Sequence, residues 1–218
     1  MNRTIALTSR AALLALSLLL AGISPAHAGL TFTVTLDTTP IQSKGPYYVD
    51  LTLTGGSATN TAMATISQFT FGTGGSAGSV STIFLTNGAT GSLTSSVTLT
   101  DPKSYNDFYQ AFTPGSLLKF NVTIATTSFN TPIPDNFSFS ILDSSRTPVP
   151  TSDPSTADTL LNLDLTGPMP TIHTYASTST GLAAPTVTFA TVPEPASLTM
   201  LGLGLLAAGA MARRRRTS

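Results

Sequence analysis

Short runs of alternating apolar and polar residues recur along most of the chain. In the first run, Leu30, Phe32, Val34 and Leu36 alternate with threonines. Residues two apart in a β-strand point to the same side, so this alternation predicts strands with one buried and one solvent-facing side. Similar alternation follows at 47–54, 93–99, 118–124, 137–141, 161–165 and 187–189. Two less regular strands are predicted at 65–71 and 80–86.

Turn-forming residues separate these runs, as in Lys44-Gly45-Pro46, Asn87-Gly88 and Thr113-Pro114-Gly115. Many short strands with frequent turns and almost no helical period predict an all-β fold, an antiparallel β-sandwich of jelly-roll-like type. We expect one helical turn at 104–112 and a long exposed loop at 146–158. The expected core side chains are Phe32, Val34, Leu51, Leu53, Phe120, Val122, Phe139 and Leu163.

The first 28 residues have the pattern of a secretory signal peptide. Arg3 and Arg10 precede a Leu- and Ala-rich run at 11–21, and Ala26 and Ala28 form a small-x-small cleavage pattern. Such segments are removed during export, so we expect cleavage after Ala28. The predicted domains are therefore a signal peptide at 1–28, a β-sandwich at 29–190 and a C-terminal segment at 191–218.

The C-terminal segment combines three features in a fixed order. A Pro-Glu-Pro motif within 192–195 precedes an apolar run at 196–212, which four consecutive arginines follow. Seventeen apolar residues form a helix of roughly 25 Å, enough for a thin bilayer core. The arginines are expected to stay on the cytoplasmic side, so the sandwich would face outward. The residues concerned are Pro193, Glu194, Pro195, Arg213, Arg214, Arg215 and Arg216.

These features together resemble the PEP-CTERM sorting signal of Gram-negative bacteria that export polysaccharide. The resemblance implies that exosortase, a membrane-embedded transpeptidase-like enzyme, processes the chain near Pro193-Glu194-Pro195. The middle domain is also similar to a recurrent type of PEP-CTERM protein, through the stretches 34–38, 47–53 and 106–112. That second resemblance implies no activity and no site residues.

The charge of the chain is unevenly distributed. The whole chain has a net charge of zero. The part between the signal peptide and the C-terminal segment carries four basic and nine acidic side chains, a net charge near −5. This acidic domain has no basic surface of the kind that binds nucleic acid. The chain contains no cysteine, which excludes disulfides and thiolate metal sites.

Candidate catalytic residues are few. Residues 74–78 match G-x-S-x-G, but no helical pattern follows the serine, as a nucleophile elbow requires. His173 is the only histidine after signal cleavage, so a histidine-rich zinc site is excluded. Glycosidase chemistry would need two aspartates, and the spacing selects no pair. We therefore expect no enzymatic activity and no cofactor.

Two binding hypotheses stay open. Calcium prefers several oxygen ligands, which either of two groups would supply in part. Exposed aromatic rings would instead form a sugar-stacking platform. The calcium groups are Asp101 with Asn106 and Asp107, and Asp135 with Asn136 and Asp143. The aromatic residues are Tyr47, Tyr48, Tyr105, Phe108, Tyr109 and Phe112.

The sequence thus predicts an exported structural protein of the cell surface or exopolysaccharide matrix. It would pass through the Sec machinery, be held in the inner membrane as a precursor and then be processed by exosortase. The alternative is a carbohydrate-binding module that recognises the exported polysaccharide. A binding module should present two or three exposed aromatic rings beside polar groups on one face, where a structural protein should present Thr and Ser.

Overall fold

The computed structural model describes residues 30–55, 62–126, 135–165 and 170–190, together with Gly204. The signal peptide at 1–28, the motif at 192–195 and the arginines at 213–216 lie outside the described residues. The same holds for the predicted transmembrane helix at 196–212, apart from Gly204. No helix among the described residues is long and apolar enough to cross a membrane.

The described chain is built from short strands and two 3₁₀ helices, at Thr39–Ile41 and Val80–Thr82. The strands are β1 Leu30–Asp37, β2 Tyr47–Thr54, β3 Ala62–Thr70, β4 Ser76–Ala77, β5 Phe84–Leu85, β6 Ala89–Gly91, β7 Ser96–Thr100, β8 Asn106–Thr113, β9 Leu117–Thr126, β10 Asn136–Leu142, β11 Leu161–Asp164, β12 Thr171–Thr174 and β13 Thr186–Phe189.

The strands form two antiparallel sheets. Sheet A has the order β13-β1-β9-β3-β7-β6, and sheet B has the order β12-β11-β10-β2-β8-β4, with β5 also paired to β8. Residues Gly29–Ala190 make up one compact unit that contains both sheets. The all-β prediction is confirmed, and two antiparallel sheets around a shared core are consistent with the predicted sandwich.

The core lies between the two sheets and follows the alternation of the sequence. Every expected core side chain is buried: Phe32, Val34, Leu51, Leu53, Phe120, Val122, Phe139 and Leu163. Phe120 of sheet A meets Phe139 of sheet B edge to face, with ring centroids 5.1 Å apart. Pairs of this geometry gain about 0.5–1.5 kcal/mol beyond the burial of their area. This contact ties the two sheets together near their middle strands.

The predicted helical turn at 104–112 is wrong, because most of this stretch forms β8. Its inward residues alternate as Asn106, Phe108, Gln110 and Phe112, so two amides interrupt the apolar period. Both amides are fully buried and hydrogen-bonded to backbone. Gln110 Oε1 accepts from Leu93 N at 2.8 Å, and Asn106 Nδ2 donates to the carbonyl oxygens of Leu53 and Lys103.

Three other predictions hold only in part. The stretch 80–86 begins as a 3₁₀ helix, because Ser79 Oγ accepts a hydrogen bond from Ser81 N and so favours a turn. Within this stretch only β5 forms a strand. The run at 93–99 becomes a strand only from Ser96. The loop at 146–158 is not exposed throughout, because Val149 and Asp153 are buried.

Phe120→Ala tests the assignment of the core. Removal of a fully buried phenylalanine should lower the free energy of unfolding by about 3–5 kcal/mol, since it leaves a cavity between the sheets. Urea unfolding of the protein measures this loss. Lys119→Ala changes the neighbouring, outward position of the same strand and should have little effect. Equal effects of the two substitutions would show that the buried side of β9 is misassigned.

Candidate functional site

The outer faces of the two sheets differ in chemistry. Sheet A carries a row of threonines in register across five of its strands: Thr31, Thr123, Thr65, Thr98 and Thr90. The hydroxyl oxygens of the first two are 3.1 Å apart. The adjoining row contains Thr188, Thr33, Asn121, Ser67 and Ser96. This is the Thr- and Ser-rich face expected of a structural protein.

The outer face of sheet B instead combines aromatic rings with carboxyl groups. β2 and β8 pair so that Asp50 lies opposite Tyr109 and Thr52 opposite Asp107. Directly opposed residues share one side of a sheet, so both carboxyls lie on the outer side as diagonal neighbours. We call this surface the aromatic–acid face, and its members are Tyr48, Asp50, Phe84, Tyr105, Asp107, Tyr109 and Arg146.

Three rings of the aromatic–acid face contact one another. Phe84 stacks on Tyr109 with centroids 4.6 Å apart and planes tilted by 12°. Tyr48 meets Tyr109 edge to face at 5.8 Å. Phe84 is 41% exposed, so part of its ring stays open to a ligand. Arg146 places its guanidinium carbon 5.9 Å from the centroid of Tyr48 and 5.7 Å from that of Tyr109. These distances lie within the range of cation–π attraction.

The turn after β10 carries Arg146 to this position. Asp143 Oδ1 accepts hydrogen bonds from Ser145 N at 2.8 Å and Thr147 N at 3.1 Å. Asp143 N also donates to the carbonyl oxygen of Thr147 at 2.8 Å. Arg146 adopts a φ of 62°, a left-handed conformation that L-residues seldom take and that these bonds stabilise.

Asp50 and Asp107 form an acid pair on this face. Burial, followed by the charge of neighbouring Asp107 and a hydrogen bond to it, raises the pKa of Asp50 to about 9. Burial also raises the pKa of Asp107, whereas the hydrogen bond from Asp50 opposes that rise. Asp50 therefore holds a proton at neutral pH and donates it to Asp107. Asp107 Oδ1 is buried, and no N–H group or hydroxyl donates a hydrogen bond to it.

Tyr105 lies beside the acid pair. Burial is the main cause that raises the pKa of its hydroxyl, and the charges of Asp107 and Asp50 add to it. A hydrogen bond to Thr52 acts in the opposite direction. The ring is 52% exposed, so Tyr105 combines an open aromatic surface with a hydroxyl that borders the carboxyls.

The geometry of the acid pair suits binding better than glycoside hydrolysis. Hydrolytic carboxyl pairs stand about 5–5.5 Å apart in retaining enzymes and about 6.5–9.5 Å apart in inverting ones. Asp50 and Asp107 are instead in direct hydrogen-bond contact. That spacing leaves no room for a glycosidic bond or a water between the two carboxyls.

The residues of the G-x-S-x-G motif and His173 are not brought together. Ser76 lies in β4 and His173 in β12, which are the two opposite edges of sheet B. Five strand spacings of about 4.8 Å separate these edges by roughly 24 Å. His173 packs its ring parallel to Tyr175 with centroids 6.4 Å apart. The two residues therefore do not form a nucleophile–base pair.

The two calcium groups proposed from the sequence are also separated. Asn106 points into the core, whereas Asp107 points outward. Asp135 precedes β10 and Asp143 follows it, so the length of a strand lies between them. Asp101 is instead close to Asp135. Burial is the main cause that raises the pKa of Asp101, and the charge of Asp135 raises this pKa as well. Within the described parts of the chain, no three acidic or histidine residues cluster as metal ligands.

Half of the residues of the predicted aromatic platform lie together on one face. Tyr48, Tyr105 and Tyr109 belong to the aromatic–acid face, whereas Phe108 and Phe112 are buried and Tyr47 packs against the core. Sequence reasoning missed Phe84, Asp50 and Arg146. Phe84 reaches the face only because the two-residue strand β5 pairs with β8. Nothing in the local sequence of β5 signals that pairing.

Comparison with known families matches the PEP-CTERM protein-sorting motif over residues 191–216. The protein carries a PEP-CTERM sorting domain. The match includes the motif Pro193-Glu194-Pro195 and the arginines at 213–216. This PEP-CTERM motif implies an exported, membrane-anchored precursor that exosortase processes. Searches of curated proteins and of solved structures give no match to the chain.

Because of the acid pair, we expect the free energy of unfolding of the PEP-CTERM protein to fall as pH rises. Between about pH 4 and pH 9 the folded chain holds a proton at Asp50 that the unfolded chain has released. The free energy of unfolding should therefore decline with pH, by at most about 1.4 kcal/mol per pH unit. Asp50→Asn should flatten this decline and raise stability near pH 8, because an amide donates to Asp107 without losing a proton.

Urea unfolding at about pH 6 and about pH 8 measures this effect. Asp37→Asn is the matched control, since it makes the same Asp-to-Asn change at an exposed site where hydrogen bonds from Thr39 lower the pKa. The control should keep the pH dependence of the unsubstituted protein. An unchanged slope in Asp50→Asn would contradict a shared proton at the acid pair.

Proposed function

We propose that this PEP-CTERM protein binds the polysaccharide of the cell that exports it, through the aromatic–acid face and without catalysis. In this proposal the Sec machinery exports the chain, and the signal peptide is removed after Ala28. The segment at 196–212 holds the precursor in the inner membrane. Exosortase then processes the chain near Pro193-Glu194-Pro195, and the domain reaches the cell surface or the matrix. The family match at 191–216 supports the sorting part of this account.

The observation that carries the binding proposal is the set of rings beside the acid pair. A sugar ring has an apolar C–H face that packs on an aromatic ring, and hydroxyls that hydrogen-bond to carboxyl oxygens. Phe84 and Tyr109 supply stacked rings, and Asp50 and Asp107 supply carboxyl oxygens as acceptors. A few placed polar groups among aromatic side chains are the usual composition of a specific binding site.

The position of these residues favours a polymer over a small molecule. They lie across β2, β5 and β8 and on the turn at 143–147, so the surface follows an open sheet face. An extended polysaccharide can contact several such residues at once along its length. The domain is acidic, which favours a neutral or weakly charged glycan, since a strongly anionic one would be repelled.

A purely structural role is the second candidate, and the threonine rows of sheet A favour it. A flat hydroxyl-rich face keeps the sheet hydrated and leaves no anchoring side chain for a ligand. The structural role and the binding role therefore differ in which surface the function of the protein depends on. Loss of the rings of sheet B should be harmless in a structural protein and damaging in a binding module.

The absence of catalysis is part of the proposal. The direct contact of Asp50 with Asp107 supports it, because hydrolytic carboxyl pairs stand farther apart. The separation of Ser76 from His173 by the width of sheet B supports it as well.

Affinity electrophoresis in gels that contain the exopolysaccharide of the producing strain tests the binding proposal. Migration of the exported protein should be retarded by the polysaccharide. Phe84→Ala and Tyr109→Ala should each weaken the affinity about tenfold or more, as expected for central aromatic contacts. Thr65→Ala and Thr98→Ala, on the threonine row of sheet A, are the matched controls and should leave the affinity unchanged.

The competing outcomes are distinct. Equal retardation of all four variants would contradict binding through the aromatic–acid face. Weaker retardation of the threonine variants alone would place the contact on sheet A. Absence of retardation with the unsubstituted protein would favour the structural role. Thermal melting of each variant shows that a lost affinity does not come from a lost fold.

A further inference from the structure

A straight row of polar side chains crosses the outer face of sheet B, from the edge strand β12 to the aromatic–acid face. The register pairs His173 with Asn162, Asn162 with Ser138, Ser138 with Thr52 and Thr52 with Asp107. Directly opposed residues share one side of a sheet, and Asp107 lies on the outer side, so the whole row does. We call these five residues the polar row.

Two aromatic rings stand at the far end of the polar row. His173 is exposed and Tyr175 is partly exposed. Their rings lie parallel, with a tilt of 9° and centroids 6.4 Å apart, so Tyr175 shares the outer side with His173. Ile172, the preceding residue of β12, packs against the core instead. We call His173 and Tyr175 the edge rings.

The side chains between the edge rings and the aromatic–acid face are small and neutral. Thr52 and Ser138 carry hydroxyls, and Asn162 carries an amide whose Oδ1 accepts from Asn136 Nδ2 at 2.7 Å. Ser138 and Asn162 are partly exposed. Hydroxyls and amides exchange hydrogen bonds with sugar hydroxyls. Their neutrality also matches the neutral or weakly charged glycan that the acidic domain favours.

The near end of the polar row borders the rings of the aromatic–acid face. The exposed Tyr105 hydrogen-bonds to Thr52. Tyr109 follows Asp107 by two residues in β8 and so points to the same side. Aromatic rings therefore stand at both ends of one continuous polar surface. Four strand spacings of about 4.8 Å, from β12 to β8, separate the two ends by roughly 19 Å.

We propose that the edge rings form a second subsite for the polysaccharide, and that one glycan chain runs along the polar row between them and the aromatic–acid face. This inference rests on the proposed function, because it extends the same binding face. A sugar residue lengthens a glycan by about one strand spacing, so the path holds about four or five sugar residues. Once one end of a chain is bound, contact with the second group of rings is intramolecular and strengthens binding.

Calorimetric titration of the full-length protein, in a detergent without a sugar headgroup, tests the proposal. The probes are size-fractionated oligosaccharides, from disaccharide to octasaccharide, made by partial acid hydrolysis of the exopolysaccharide of the producing strain. The affinity should rise about tenfold or more up to the hexasaccharide and then level off. His173→Ala and Tyr175→Ala should each lose most of this gain. Thr174→Ala, which changes the inward neighbour of His173 in β12, is the matched control and should keep the gain.

A second measurement keeps the test decisive if a variant folds poorly. In the unsubstituted, isotope-labelled protein, the hexasaccharide should shift the ring resonances of His173 and Tyr175 together with those of Tyr109. Equal affinity for all lengths, with shifts confined to the aromatic–acid face, would overturn this inference and leave the proposed function standing. An equal loss of the gain in Thr174→Ala would also overturn it, since the edge rings would not be its source. Absence of binding to every oligosaccharide and to the polysaccharide would overturn both.

Discussion

The face-to-face packing of the two sheets is the constraint on which the other features depend. Phe120 and Phe139 meet across the sandwich, and their burial decides which side of β9 and β10 faces inward. Because side chains alternate along a strand, each inward residue sends its neighbours outward. A slip of one residue would exchange the two sides of a strand. The threonine rows and the aromatic–acid face are therefore both consequences of one core register.

β8 links this core to the candidate site. Its inward amides, Asn106 and Gln110, hydrogen-bond to backbone groups of the irregular segments packed beside the strand. Those contacts hold the segment at 78–93 against β8 and so bring Phe84 onto Tyr109. The outward residues of the same strand, Asp107 and Tyr109, form the centre of the aromatic–acid face. One strand thus positions the surrounding loops with one side and presents the site with the other.

The sequence predicted the features that depend on local periodicity. Alternating apolar residues identified β1, β2, β9 and β10 and their buried side chains. β8 was missed because two of its inward positions are amides, and a buried amide carries no hydrophobic signal. Asp50 and Asp107 are far apart in the chain and become neighbours only through the register of β2 with β8. Phe84 depends on a two-residue strand, which is too short to leave a periodic pattern.

The most direct test of this account is a chemical-shift map of the isotope-labelled, exosortase-processed protein titrated with the exopolysaccharide of its producing strain. The account predicts that shifts concentrate on β2, β5, β8 and the turn at 143–147, with Tyr109 and Phe84 at the centre. The threonine rows of sheet A should stay unperturbed. Shifts confined to sheet A, or no shifts at saturating polysaccharide, would contradict the assignment of the aromatic–acid face as the binding surface.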